Sequence, residues 1–83
     1  MINAISVTAT KDYHVIVELE DGRSFNIDMS YILSESGSVI QPLKRIEEFQ
    51  KVFIQKGIVT WPSGFDIDPY YLISIGILID KTA

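Results

Sequence analysis

The sequence predicts an α+β fold: a small antiparallel or mixed β-sheet, made of a three-stranded meander plus a hairpin, covered by one or two short helices. Three observations predict it. Apolar and polar side chains alternate in short runs between residues 5 and 27, with polar turns between the runs. Apolar residues recur at helical spacing between 43 and 51. Two further apolar runs flank the pair Lys56–Gly57, which reads as a tight reversal. With 83 residues, 47% of them hydrophobic and 22% charged, the chain has the material for a single globular domain, residues 1–83, with one small core.

In the first run Ile5, Val7 and Ala9 fall on one side and Ser6 and Thr8 on the other. In the second, Val15, Val17 and Leu19 oppose His14, Glu18 and Glu20, with Ile16 as an apolar exception on the polar side. Lys11 and Asp12 supply the turn between them. The next turn holds Asp21 and Gly22, and register sets its length. A two-residue loop would place Leu19 opposite Ser24 and Val17 opposite Asn26, mixing apolar and polar groups on both faces. A three-residue loop of Glu20, Asp21 and Gly22, with Gly22 left-handed in a G1 bulge, places Val17 opposite Phe25 and Val15 opposite Ile27. One apolar face results, so the three-residue loop is preferred.

Asp28 or Ser30 can cap a short helical turn through Tyr31, Ile32 and Leu33, which Gly37 then ends. Leu43–Lys51 reads as a helix of about three turns, with Leu43, Ile46 and Phe49 or Gln50 on its apolar side, and it is the expected cover for the sheet. Strands follow over 52–55 and 58–61. Pro62 opens a turn closing near Gly64. Asp68 before Pro69 reads as an N-cap followed by proline at the first helical position, with Tyr71, Leu72 and Ile75 facing inward. Gly76 either stops this helix or lies within it, and Ile77–Ile79 is either a last helical turn or a short strand.

Composition narrows the chemistry. A net charge of −4 disfavours direct nucleic-acid binding, which depends on Lys and Arg, and suits a basic protein partner. There is no cysteine, so disulfides and thiolate metal sites are excluded. No basic segment precedes an apolar stretch near the N-terminus, and the apolar run 70–79 is half the length a bilayer-spanning helix needs, so a cytoplasmic protein without membrane association is expected.

Catalytic patterns are weak. His14 is the single histidine and has no second His or Cys with which to complete a metal site. Asp66 and Asp68 superficially resemble a carboxylate pair for a cation, but the patterned run of a calcium loop is missing and Asp68 serves better as a cap. The serines at 34, 36, 38 and 63 lie in no nucleophile motif, and the glycines are scattered singly. The expectation is therefore a protein without catalytic, cofactor or metal residues.

Four residues carry the expectation of a binding surface: Trp61, Asp66, Tyr70 and Tyr71. Trp61, the sole tryptophan, is either a core anchor or an exposed binding residue. Helical geometry prevents Tyr70 and Tyr71 from both pointing inward, so one meets solvent or a partner. The stretch Leu72–Ile79 is too apolar for an uncovered surface, and self-association as a homodimer is its simplest cover.

The blocks EDGRSFNID, GSVIQPL, FQKVF and IVTWPSGFDIDPYYL follow one another in a way that resembles the bacterial family catalogued as domain of unknown function 2442. The resemblance runs from about Ile5 to Leu72, and its matching positions are Asp21, Gly22, Asp28, Pro42, Leu43, Trp61, Pro62, Gly64, Asp66 and Pro69. It implies an α+β fold on a small antiparallel or mixed sheet, structural roles for these positions, and no known reaction. Family members resemble stand-alone small proteins or N-terminal domains attached to helix-turn-helix modules, and partners in toxin–antitoxin-like gene pairs. Two departures stand out: Tyr70 occupies a place where an acidic or small polar residue is usual, and the tail ISIGILIDKTA continues past the usual end.

The functional expectation is a non-enzymatic protein-binding or regulatory module, antitoxin-like, that occludes a partner protein. The alternative is a small-molecule-sensing regulatory domain with a pocket near Trp61. An enzymatic reading would need His14 within hydrogen-bond reach of a carboxylate inside a cleft.

Overall fold

Seven strands and three short helices build two antiparallel sheets around a shared core in the computed structural model, which describes residues 2–80. Strands β1 (Ala4–Ala9), β2 (His14–Leu19) and β3 (Ser24–Asp28) form the expected meander, and a late strand β7 (Ile77–Leu78) returns to pair with β3, giving the order β1-β2-β3-β7. The second sheet, β4-β5-β6, contains the expected hairpin of β4 (Phe53–Gln55) and β5 (Ile58–Thr60). To it is added β6 (Asp66–Ile67), a strand the sequence reading leaves unassigned between the turn and the helix cap.

The preferred register of the β2–β3 turn holds. Val17 pairs with Phe25 and Val15 with Ile27. The Leu19 N–H donates to the Arg23 carbonyl at 2.8 Å, the Gly22 N–H donates back to Leu19 at 3.0 Å, and Gly22 has φ of 92°, the left-handed geometry of a G1 bulge. Val15, Val17, Leu19, Phe25 and Ile27 are all buried, so this register delivers one apolar face to the core.

The first strand departs from its expected alternation. Ala4 pairs with Leu19 and Ser6 with Glu18, so Ile5 is the extra residue of a β-bulge. The bulge shifts the phase of the strand: Ala4 is buried and Ile5 is 55% exposed, while Val7 and Ala9 keep their half-buried places. The hairpin meets the start of β1, where the Gly57 carbonyl accepts the Ala4 N–H at 2.9 Å.

The expected three-turn helix over Leu43–Lys51 is broken into two pieces. Gln41–Lys44 is a 3₁₀ turn led by Pro42, Arg45 is extended at φ −89° and ψ 128°, and the helix restarts as α2 (Ile46–Phe49). The reason lies in burial. Leu43 and Phe49 are six residues apart and do not share a face of one continuous helix, yet both are buried to within 1%. The break at Arg45 turns both inward, and the Tyr13 hydroxyl satisfies the Lys44 carbonyl freed there at 2.6 Å. Ahead of these, α1 (Ser30–Leu33) buries Ile32 and Leu33, and Asp28 accepts the Ser30 N–H at 2.9 Å.

The two-residue turn Lys56–Gly57 has positive φ at both positions, as a hairpin of this length requires. Beyond it the Trp61 N–H donates to Phe65 and the Gly64 N–H donates to Trp61, both at 2.9 Å, so the WPSG turn carries the chain back alongside β5 as β6, with Val59 opposite Ile67. The helix α3 (Pro69–Ile75) then begins as expected, with Asp68 accepting the Tyr71 N–H at 3.0 Å. Gly76 ends it, and Ile77–Leu78 is strand, which settles the two readings left open. Residues 81–83 of the tail lie outside the described residues.

Several turns are tied by carboxylates. The Thr10 hydroxyl holds Asp12 below the usual carboxylate range, the Arg23 backbone N–H does so for Asp21, the Ser30 hydroxyl for Asp28 and the Lys51 ammonium for Glu48. A carboxyl whose pKa is depressed on folding stabilises the fold above its unfolded value, near pH 4, and loses that contribution as pH falls through the folded value. The urea midpoint is therefore expected to fall between about pH 5 and pH 3, and to fall less steeply in high salt because these groups are solvent-exposed. A midpoint that stays level or rises over that interval would contradict these contacts.

Candidate functional site

Trp61, first among the expected binding residues, is a core residue. It is 1% exposed, its Nε1–H donates to the Phe49 carbonyl at 2.7 Å, and its ring sits between Phe49 and Phe65 at centroid distances of 5.8 and 5.7 Å. It has no surface with which to touch a partner or line a ligand pocket, so its place among the binding residues and the expected pocket beside it are both corrected. The row extends through Phe49 to Tyr13 at 5.0 Å, and these rings bridge the two sheets.

Asp66, Tyr70 and Tyr71 are different. Asp66 begins β6 with its side chain exposed. On α3 the buried or half-buried positions are Pro69, Leu72, Ile73 and Gly76, the spacing of one helical face packed on the core. That leaves Tyr70 61% and Tyr71 47% exposed, so both tyrosines meet solvent. The expectation that Tyr71 and Ile75 face inward with Leu72 is overturned: Ile75 is 38% exposed and lies four residues from Tyr71 on the helix flank. The buried face follows from how closely the helix backbone approaches β3. A Cβ on Gly76 would stand 3.1 Å from Ile27 Cγ1 and 3.2 Å from Phe25 Cβ.

The apolar surface continues past Gly76. Ile77 is 75% and Leu78 56% exposed on β7, so five large apolar side chains between residues 70 and 78 face solvent. Sequence reading found the stretch but not Ile75, Ile77 and Leu78 as individual surface residues. The available signal was the absence of any charged residue from Pro69 to Ile79. Carboxylates flank this strip at its start, with Asp66 and the helix cap Asp68 both exposed.

His14 lies on the outer face of the first sheet, its Nδ1 2.8 Å from Asn26 Oδ1 and its Nε2 3.9 Å from Asp28 Oδ2, beyond hydrogen-bond distance. Its strand neighbours there, Ile16 and Thr8 across the ladder, are exposed, and no cleft encloses the ring. A shallow depression of about 300 Å³ is lined by Tyr13, Ser30, Leu33, Ser34 and Lys44, at the lower limit of small-molecule sites. Its hydroxyls are committed to the fold: Tyr13 donates to Lys44 and Ser34 to the Tyr31 carbonyl, while Ser30 bonds the Asp28 carboxylate. They do not converge on the depression as ligand-binding groups would. Among the described residues no group of three or more His, Cys, Asp or Glu side chains is placed to hold a metal ion, and no helix is long and apolar enough to cross a membrane.

Fold and surface together define a small α+β protein of two antiparallel sheets with short helices and an exposed aromatic and aliphatic strip over α3 and β7. The chain belongs to the family described as Protein of unknown function (DUF2442), whose model matches residues 4–77. The match runs beyond Leu72, so α3 and the start of β7 fall within the family's span and not in an added tail. Comparison with curated proteins found no match. Comparison with solved structures likewise found none.

Proposed function

We propose that this protein is a non-enzymatic, cytoplasmic protein-binding or regulatory module, antitoxin-like in that it occludes a surface of a partner protein. The observation that carries this reading is the pair of exposed rings, Tyr70 at 61% and Tyr71 at 47%, held on a helix whose opposite face is anchored in the core and whose start is flanked by the exposed carboxylates Asp66 and Asp68. Rigid aromatic side chains lose little entropy on docking and dominate affinity where they are desolvated. Carboxylates beside them speed encounter with a basic surface and exclude acidic ones, consistent with the net charge of −4. Occlusion needs only shape, rings and charge, all of which this end of the molecule offers.

Affinity capture from the native cell with tagged protein tests the proposal. A defined basic protein should be retained by the wild-type chain, lost by roughly tenfold or more with Tyr70→Ala, and released by added salt more readily from Asp66→Asn than from wild type. Capture of nothing beyond the chain itself would remove the main support, as would a partner indifferent to both substitutions.

A further inference from the structure

The first sheet ends in β1 and β7. The hairpin meets β1 at Ala4, whereas β7 carries the most exposed aliphatic pair of the C-terminal strip on its edge. Its hydrogen-bonding phase follows from the register. Ile77 pairs with Asn26 and Leu78 with Phe25, and the Ile79 N–H donates to the Ser24 carbonyl at 2.8 Å. Backbone groups in an antiparallel ladder alternate between facing the neighbour and facing away. With residues 77 and 79 turned to β3, the N–H and C=O of Leu78 point out of the sheet.

We infer that β7 is a self-pairing edge: a second copy of this chain adds its own β7 antiparallel, about a two-fold axis at Leu78, joining two four-stranded sheets into one of eight. The Leu78 N–H of each copy donates to the Leu78 carbonyl of the other, an isologous contact that closes on itself. In this register Ile77 lies opposite Ile79 of the second copy, an apolar cross-strand pair, and Asp80 lies opposite Gly76 instead of a second aspartate.

Charge selects a second copy over other occupants. Pro69–Ile79 contains no ionisable group of Asp, Glu, Lys, Arg or His, so two copies of an acidic protein meet here without opposing like charges, while a basic partner finds no counter-charge along β7 itself. Area sets the strength. Taking roughly 200 Å² for a fully exposed large side chain, the exposures of Ile75, Ile77 and Leu78 amount to about 340 Å² per copy and about 680 Å² across the pair. That falls short of a standard stable interface and predicts a weak, concentration-dependent dimer. The inference is separate from the proposed partner binding, which uses Asp66, Tyr70 and Tyr71 at the other end of α3.

Sedimentation equilibrium of the full chain from about 5 to 500 μM tests it, with amide exchange of Leu78 read in parallel. Expected are a monomer–dimer equilibrium and slowed Leu78 exchange at high concentration. Leu78→Pro deletes the outward N–H without removing a bond to β3, and Ile77→Lys places like charges beside each other. Each should weaken dimerisation at least about tenfold, while Ile5→Lys, exposed at the β1 bulge, leaves it unchanged. If Leu78→Pro does not fold, Ile77→Lys decides alone. A monomer at every concentration overturns the inference, as does a dimer that survives Ile77→Lys or is lost with Tyr70→Ala instead. None of these results bears on whether Tyr70 and Asp66 hold a different protein.

Discussion

Trp61→Ala is expected to lower stability by about 3–5 kcal/mol, a large part of the roughly 4–12 kcal/mol that a chain of this size possesses. Three losses combine: burial of the largest fully buried side chain, ring contacts to Phe49 and Phe65, and the Nε1–H donor of the Phe49 carbonyl. Trp61→Phe separates them. It keeps a ring but leaves that carbonyl without its donor, which costs about 1–3 kcal/mol when the group is buried. Thermal unfolding followed by circular dichroism should show the alanine variant melting roughly 15 °C or more below wild type and the phenylalanine variant in between. An alanine variant within about 0.5 kcal/mol of wild type would mean that Trp61 is a surface residue after all, and the pocket reading would return.

Gly76→Ala should destabilise, against the usual direction for such a change. Gly76 has φ of −84° and ψ of 164°, a conformation any residue adopts, so alanine would ordinarily stabilise by about 0.4–1 kcal/mol through the unfolded state. Here a Cβ would stand 2.9 Å from the Leu72 carbonyl oxygen, 3.1 Å from Ile27 Cγ1 and 3.2 Å from Phe25 Cβ. Relieving that contact requires α3 to back away from β3, which costs about 1–3 kcal/mol as overpacking does. Gly76→Val should cost more. Urea midpoints of both variants decide the sign, and a stabilised alanine variant would show that α3 is not seated as closely as described.

The proposed partner surface and the proposed dimer edge occupy opposite ends of one helix. The N-terminal end of α3 offers Asp66, Tyr70 and Tyr71 beside the capping Asp68, and its C-terminal end passes through Gly76 into the open edge of β7. A dimer built on β7 would present two copies of the acidic aromatic end, giving a dimeric partner two simultaneous contacts and raising apparent affinity without new chemistry.

Legibility differed along the chain for physical reasons. The β2–β3 register could be derived from Val15, Val17, Phe25 and Ile27, because a slip by one residue would move every apolar side chain to solvent. The Asp68 cap was legible because its signal is local: a carboxylate reaches its own helix within three residues. The break at Arg45 was not, since it depends on Leu43 and Phe49 both having places in a core assembled by other elements. The bulge at Ile5 was hidden because Ala4 and Ile5 are both apolar and either phase looks acceptable in isolation.

The candidate surface divides along the same line. Asp66 and Tyr70 could be named in advance as polar or amphipathic groups near a helix start, whereas Tyr71 was expected to face inward and Trp61 could not be assigned, because a large ring beside a turn is equally compatible with core and rim.

From sequence alone came the α+β class, the meander with its three-residue turn, the capped helix and the uncharged apolar stretch, all set by contacts between near neighbours or by the two-residue period of a strand. Tertiary structure alone decided that β7 returns to β3, that Trp61 lies inside, and that Ile77 and Leu78 stay outside. Those outcomes depend on which distant backbones can approach each other, and Gly76, with no side chain to hold α3 and β3 apart, makes that approach possible.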